Sequence, residues 1–190
     1  MEINRHHLQS PVQIITTYLG IPEEYKKKCI KEIYKIGDKQ NQKTNVKGIM
    51  SSYHIYTETR ELDDLLNNII NSINISVPIE DKRFYYDLKN CWGAVYKEGH
   101  YTVPHVHLPD NISFVYYLKA NENSSPLVFD ECNFKINPID DFLIIFPSYV
   151  THSVPKQSKG EDRICIAGNL KIKLKDEEIN ISYEENKNSR

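Results

Sequence analysis

Apolar residues along this chain change their repeat near residue 83. Before that point the spacing is helical in two places. Residues 23–36 carry Tyr25, Cys29, Ile30, Ile33 and Tyr34, an i, i+4, i+5, i+8, i+9 pattern that makes one apolar helix face. Pro22 stands where a first helical turn tolerates it, and Gly37 is a stop. Residues 59–73 carry a second stripe, Leu62, Leu65, Leu66, Ile69, Ile70 and Ile73, with Thr59 as the expected N-cap. Residues 11–18 and 49–56 read as strands, and residues 38–44 as a polar loop. After residue 83 the runs become short and apolar or alternating: 83–88, 93–96, 112–118, 127–129, 142–146 and 163–170. Turn-forming clusters separate them. Many short strands at this spacing predict a sandwich or a barrel. Residues 172–183 are expected to add a strand pair, and 184–190 to form a frayed tail.

Composition narrows the reading without supplying a function. At 190 residues one domain is the expectation: an α/β lead-in over 1–82, a β core over 83–183 and the tail. Lys and Arg total 24 against 26 Asp and Glu, which argues against bulk electrostatic binding to nucleic acid or anionic lipid. No apolar run approaches the roughly 20 residues of a membrane helix. The first residues, Met1 to His7, lack the apolar core of a signal peptide, so a cytoplasmic protein is expected. Cys29, Cys91, Cys132 and Cys165 form no Cys-x-x-Cys pair and are expected to be reduced and buried.

The chemistry lies between Tyr96 and Asn169. His105 and His107 are two apart, so on a strand their rings point the same way. Pro104 and Pro109 bracket them and stiffen the backbone. His152 follows a sharp exit, Phe146-Pro147, from an apolar run, where a barrel can bring it to face the pair. Imidazole suits borderline first-row metals. Arg163 heads the next apolar run. An arginine turned into an apolar barrel needs an anion, and its planar fork matches a carboxylate. Three histidines plus this arginine suit a redox metal and a small dicarboxylate. The plainer alternatives are histidines that only fill space and a surface arginine beside Glu161 and Asp162.

A resemblance then becomes visible. Trp92-Gly93-Ala94-Val95-Tyr96, Gly99, His105-Val106-His107-Leu108-Pro109, Ser113-Phe114-Val115-Tyr116-Tyr117-Leu118, Phe146-Pro147-Ser148, His152-Ser153-Val154-Pro155 and Arg163 through Asn169 carry it. Together they resemble the Fe(II)/2-oxoglutarate-dependent oxygenases of marine bacteria and their phages, over about residues 85–170. The resemblance implies a mainly β fold with flanking helices, a double-stranded β-helix or jelly-roll barrel of the cupin-like kind. It implies Fe(II) at the barrel mouth and 2-oxoglutarate chelating it, with the far carboxylate on Arg163. Tyr96, Tyr116 or Ser153 would add a hydroxyl to that carboxylate.

One position departs from the usual pattern. The common facial triad has a carboxylate two residues after the first histidine. Here that place is held by His107, and Asp110 lies three further on. The favoured ligand set is His105, His107 and His152; the alternative recruits Asp110. A filled slot leaves no room for a halide and argues against halogenation. The expected activity is a hydroxylase that takes O2 and a small-molecule or peptide substrate. Two rivals stand beside it: a cupin-like three-histidine iron dioxygenase that uses no 2-oxoglutarate, and a non-catalytic jelly-roll binding protein.

Overall fold

Period-two alternation sends successive side chains to opposite faces of a strand, and in this chain it builds two antiparallel sheets. The computed structural model describes residues 11–37 and 44–175. In chain order the elements are β1 (Ile15–Tyr18), α1 (Glu23–Gly37), β2 (Val46–Lys47), β3 (Ile49–Met50), α2 (Asp63–Ser76), β4 (Phe84–Tyr96), β5 (Tyr101–His105), β6 (Ile112–Lys119), β7 (Leu127–Phe129), β8 (Phe134–Ile136), β9 (Phe142–Pro147), β10 (His152–Val154) and β11 (Arg163–Leu174). One sheet has the order β1-β9-β6-β11-β4-β3, the other β2-β5-β10-β7-β8.

The six-stranded sheet is covered on both faces, which is why β6 and β11 read as unbroken apolar runs instead of alternating ones. Its inner face meets the five-stranded sheet through Trp92, Tyr96, Val115, Tyr117, Ile144, Phe146, Cys165 and Ala167. The outer face carries Val95, Phe114, Tyr116, Leu118, Ile145, Ile164 and Ile166 and packs against α1 and α2. Of the stripes their periodicity predicts, the helices bury Cys29 and Ile33 on α1 and Leu65, Leu66, Ile69 and Ile73 on α2; Tyr25, Ile30, Tyr34 and Ile70 are half-buried, and Ile36, outside the predicted stripe, is buried as well. At the crossing of α1 over β4, a Cβ on Gly93 would sit 2.7 Å from the Ile33 side chain, so the close approach requires glycine there. None of the described helices is long and apolar enough to cross a membrane.

Several elements differ from their sequence reading, each for a local reason. The second helix begins at Asp63, not Thr59. The Thr59 hydroxyl accepts the Glu61 N–H at 3.2 Å and closes a turn before the helix. The strand expected over 49–56 stops at Met50. The Ser52 hydroxyl takes the His54 N–H, and a single 3-10 turn, Ile55–Thr57, follows. The runs 83–88 and 93–96 are one strand, β4, bulged opposite the Asn169/Leu170 step, and β11 continues to Leu174 to pair with its start. β8 had no sequence signal: Phe134 and Lys135 are exposed and three residues show no period. The expected strand pair over 172–183 contributes Ile172–Leu174 to β11, and the rest of it lies outside the described residues, as do His6, His7 and the 184–190 tail.

Candidate metal centre

β5 ends at His105, whose Cα pairs with that of His152 at the start of β10; Phe129 of β7 pairs with His152 from the other side. Side chains in one cross-strand row share a face, so both imidazoles turn into the sandwich. His107 is not on a strand. It lies in the loop after β5, so the alternation argument for the His-x-His pair does not hold as drawn from sequence. The loop brings it back instead: the His107 N–H donates to the Ser148 carbonyl at 2.8 Å, and its ring rests against Trp92 at 5.6 Å. Ligand nitrogens of His105, His107 and His152 all lie within 4.8 Å of one another. Ring centroids are 4.7 Å apart for His105–His107, 4.4 Å for His105–His152 and 5.1 Å for His107–His152.

The donor set fits a metal ion. His105 Nδ1–H donates to the Val103 carbonyl at 2.8 Å, and His152 Nδ1–H to the Val150 carbonyl at 2.9 Å. Those bonds set the tautomer and leave each Nε2 lone pair free to coordinate. Burial, reinforced by the neighbouring imidazoles His152 and His105, pushes the His107 pKa down to about 3. Burial and the charge of His105 bring His152 down to about 4, and burial lowers His105 as well. All three are held as neutral rings, the form that binds metal. Asp110 stands apart from them: its carboxylate pairs with Lys171 at 3.7 Å.

From the histidines a narrow cavity of about 40 Å³ runs into the sandwich between Trp92, Val115, Leu127, Phe146, Val154 and Ala167. Arg163 lines it and is 1% exposed, whereas His105 and His107 are half-buried. The guanidinium is held by the Tyr117 hydroxyl, which accepts from an NH2 group at 3.1 Å, and by a long contact to Cys165 Sγ at 3.9 Å. It stacks over the rings of Tyr96 and Tyr117, 4.5 and 4.9 Å to their centroids. Among the described residues its Nε has no hydrogen-bond partner. No described carboxylate forms an ion pair with it, so a full positive charge is sealed in an apolar chamber.

Of the three hydroxyls expected near Arg163, one lines this cavity. Tyr96 pairs with Arg163 across the ladder and its hydroxyl shares a 2.7 Å bond with Thr102. Tyr116 faces the helices, where its hydroxyl donates to Asp141 at 2.7 Å. Ser153 turns outward from β10 and donates to Asp130 at 2.9 Å. The hydroxyl on the guanidinium belongs to Tyr117, which the sequence reading passed over. Alternation holds the signal that finds it: Cys165 pairs with Tyr117 and Arg163 with Tyr96, so an inward Arg163 carries both tyrosines inward with it. Outside the mouth a groove continues past Trp92, His105 and His107 to Asn45, Tyr53, Asn90 and Asp110.

No family model and no curated protein matches the sequence. Solved structures match the fold. The viral collagen prolyl hydroxylase of Paramecium Bursaria Chlorella virus-1, in its 2-oxoglutarate complex, superposes with a TM-score of 0.63 at 15% identity over 83% of this chain and 94% of that one. A Trichoplax adhaerens prolyl hydroxylase, in complex with a hypoxia inducible factor oxygen degradation domain peptide fragment, gives 0.60 at 16% over 83% and 82%. HygX from Streptomyces hygroscopicus, with nickel and 2-oxoglutarate bound, gives 0.62 at 6% over 84% and 83%. The fold is the double-stranded β-helix of the 2-oxoglutarate/Fe(II) oxygenases, as the sequence resemblance implied.

Proposed function

We propose that this chain is an Fe(II)- and 2-oxoglutarate-dependent oxygenase, a hydroxylase whose metal is held by His105, His107 and His152. The observation that carries the reading is Arg163, a buried, unpaired guanidinium with a free Nε, lining the cavity that the three imidazoles open. The three imidazoles would hold the metal, and a dicarboxylate would place one carboxylate on the arginine and offset its buried charge. The Tyr117 hydroxyl and the stacked rings of Tyr96 and Tyr117 orient the guanidinium before the cosubstrate arrives. Apolar walls exclude water and strengthen that ion pair. When bound, iron and 2-oxoglutarate supply the oxidising chemistry, with O2 and 2-oxoglutarate converted to succinate and CO2 as substrate is hydroxylated. The substrate, a small molecule or a peptide, would lie in the groove between Tyr53, Asn90 and Trp92, beside the metal. The peptide bound by the Trichoplax neighbour supports the second class.

A three-histidine set without a carboxylate also suits a cupin-like dioxygenase that needs no 2-oxoglutarate. The orphaned Arg163 argues for the first reading, because that rival has no use for it. Succinate release with Fe(II), 2-oxoglutarate and ascorbate tests the choice, together with 2-oxoglutarate binding to the metal-loaded protein. The wild type should bind and slowly decarboxylate it. Arg163→Met should bind it about 10- to 100-fold more weakly, the loss of a charge-assisted contact, with metal content unchanged. Equal affinity in the two proteins would move the assignment to the cupin-like enzyme; no 2-oxoglutarate binding by either would exclude the first reading, and O2 consumption by the Fe(II)-loaded protein would then separate the cupin-like enzyme from a jelly-roll binding protein.

A further inference from the structure

His107 is the least anchored of the three imidazoles. Its neighbours Val106 and Leu108 are 40% and 66% exposed, so apolar packing does not pin the loop. Its ring makes no hydrogen bond to a described carbonyl, unlike those of His105 and His152. Apart from ring contacts with Trp92, His105 and His152 and a local turn in which Asp110 N–H donates to the His107 carbonyl at 2.9 Å, one backbone bond holds it, from its N–H to the carbonyl of Ser148.

Ser148 is fully buried and is itself fastened twice. Its N–H donates to the Asn111 carbonyl at 3.1 Å, and its hydroxyl meets that of Ser113 at 2.9 Å. The Ser113 hydroxyl donates to Asn169 Oδ1 at 2.7 Å, so Ser148 must be the donor in the bond between the two serines. Asn169 Nδ2 then donates to Asn90 Oδ1 at 2.8 Å. A directed file of polar side chains thus crosses from the loop after β9 through β6 and β11 to β4. Ser113 and Asn169 are 1% and 2% exposed. Groups buried this deeply destabilise the fold unless every one is satisfied, and a fully satisfied file holds a single arrangement. Packing alone does not call for it, since apolar side chains of similar size would fill the same space.

We propose that Ser148, Ser113 and Asn169 are positioning residues for the metal centre: they lock the one carbonyl that fixes the off-strand ligand His107. This rests on the metal-centre reading above. The test uses Co(II) as the probe, titrated into the metal-free full chain and followed by its d–d absorption, in wild type, Ser148→Ala, His107→Ala and the double variant. Ser148→Ala should bind Co(II) about 10-fold more weakly, at the lower end of what the loss of an outer-sphere partner produces, with an altered absorption envelope. In the His107→Ala background the same substitution should change neither affinity nor spectrum, because its effect passes through the missing ring. Unchanged affinity and spectrum in the single variant would overturn the proposal. So would an equal fold-loss in both backgrounds, which would mark Ser148 as a general support of the fold. A wild type that binds no Co(II) would remove the metal reading itself and the proposal with it. Should circular dichroism show Ser148→Ala unfolded, Ser113→Ala breaks the same bond from the other side and is judged by the same outcomes.

Discussion

Tyr116 and Tyr117 are adjacent and equally buried, yet one serves the helical layer and the other the guanidinium that lines the cavity. The Tyr116 hydroxyl helps to hold Asp141, whose carboxylate also takes the N–H groups of Gly20 and Ile21 just ahead of α1. The Tyr117 hydroxyl takes an N–H of Arg163. Their phenylalanine variants should therefore fail differently. Tyr117→Phe should weaken 2-oxoglutarate binding by about 2- to 10-fold, the worth of one hydrogen bond, and also lower the unfolding free energy by about 1–3 kcal/mol, because a buried Arg163 donor loses its partner. Tyr116→Phe should leave that affinity unchanged and lower the unfolding free energy by about 1 kcal/mol. Isothermal titration and urea denaturation on both proteins check the pair; a loss of cosubstrate affinity in Tyr116→Phe would contradict the assignment. The same pair measures how far single residues are legible. The tyrosine doublet marks a strand that matters, but which hydroxyl meets Arg163 depends on the phase of β6 against β11, and phase is set by pairing.

At the scale of elements, the helices and most core strands are readable because apolar spacing reports burial directly. What spacing misses are boundaries where a side chain competes with the ladder, as Ser52 and Thr59 do, and strands too short to show a period, such as β8. Helix-to-sheet distance is equally invisible in a pattern, and Gly93 is where it is decided. Ile33 is β-branched and fully buried, so it cannot swing away from an added methyl. Gly93→Ala should cost about 1–3 kcal/mol of stability through overpacking, read as a lower urea midpoint. In the Ile33→Ala background Gly93→Ala should cost less than it does in the wild type, a coupling expected only of residues in contact. Strictly additive effects would show that α1 does not lie this close to β4.

For the whole molecule, three imidazoles withdrawn from water, one buried and two half-buried, tie stability to pH. In the folded protein His107 and His152 protonate only near about 3 and about 4, whereas in the unfolded chain they do so near 6.5. Between those values the unfolded state carries more protons, so stability rises with pH there. The metal-free protein should lose stability as pH falls from about 6.5 toward about 4, and these groups should contribute no slope above that window. Urea midpoints across the window, for wild type and His107→Asn, test the cause: the variant should show the shallower dependence. Identical slopes would mean that His107 is not held neutral by its surroundings.

By itself the sequence determined the layers and the roster. Apolar periodicity set two helices against a β core, and His105, His107, His152 and Arg163 appear in an order that a barrel can gather. Only the tertiary structure decided that Arg163 has no counter-ion among the described residues, that Tyr117 and not Tyr116 faces it, that His107 hangs from Ser148 off the strand, and that Asp110 pairs with Lys171. The reason is physical. Burial pattern is written along the chain one residue at a time, whereas strand phase, loop return and charge pairing are relations between segments far apart in sequence, set when the sheets choose their register.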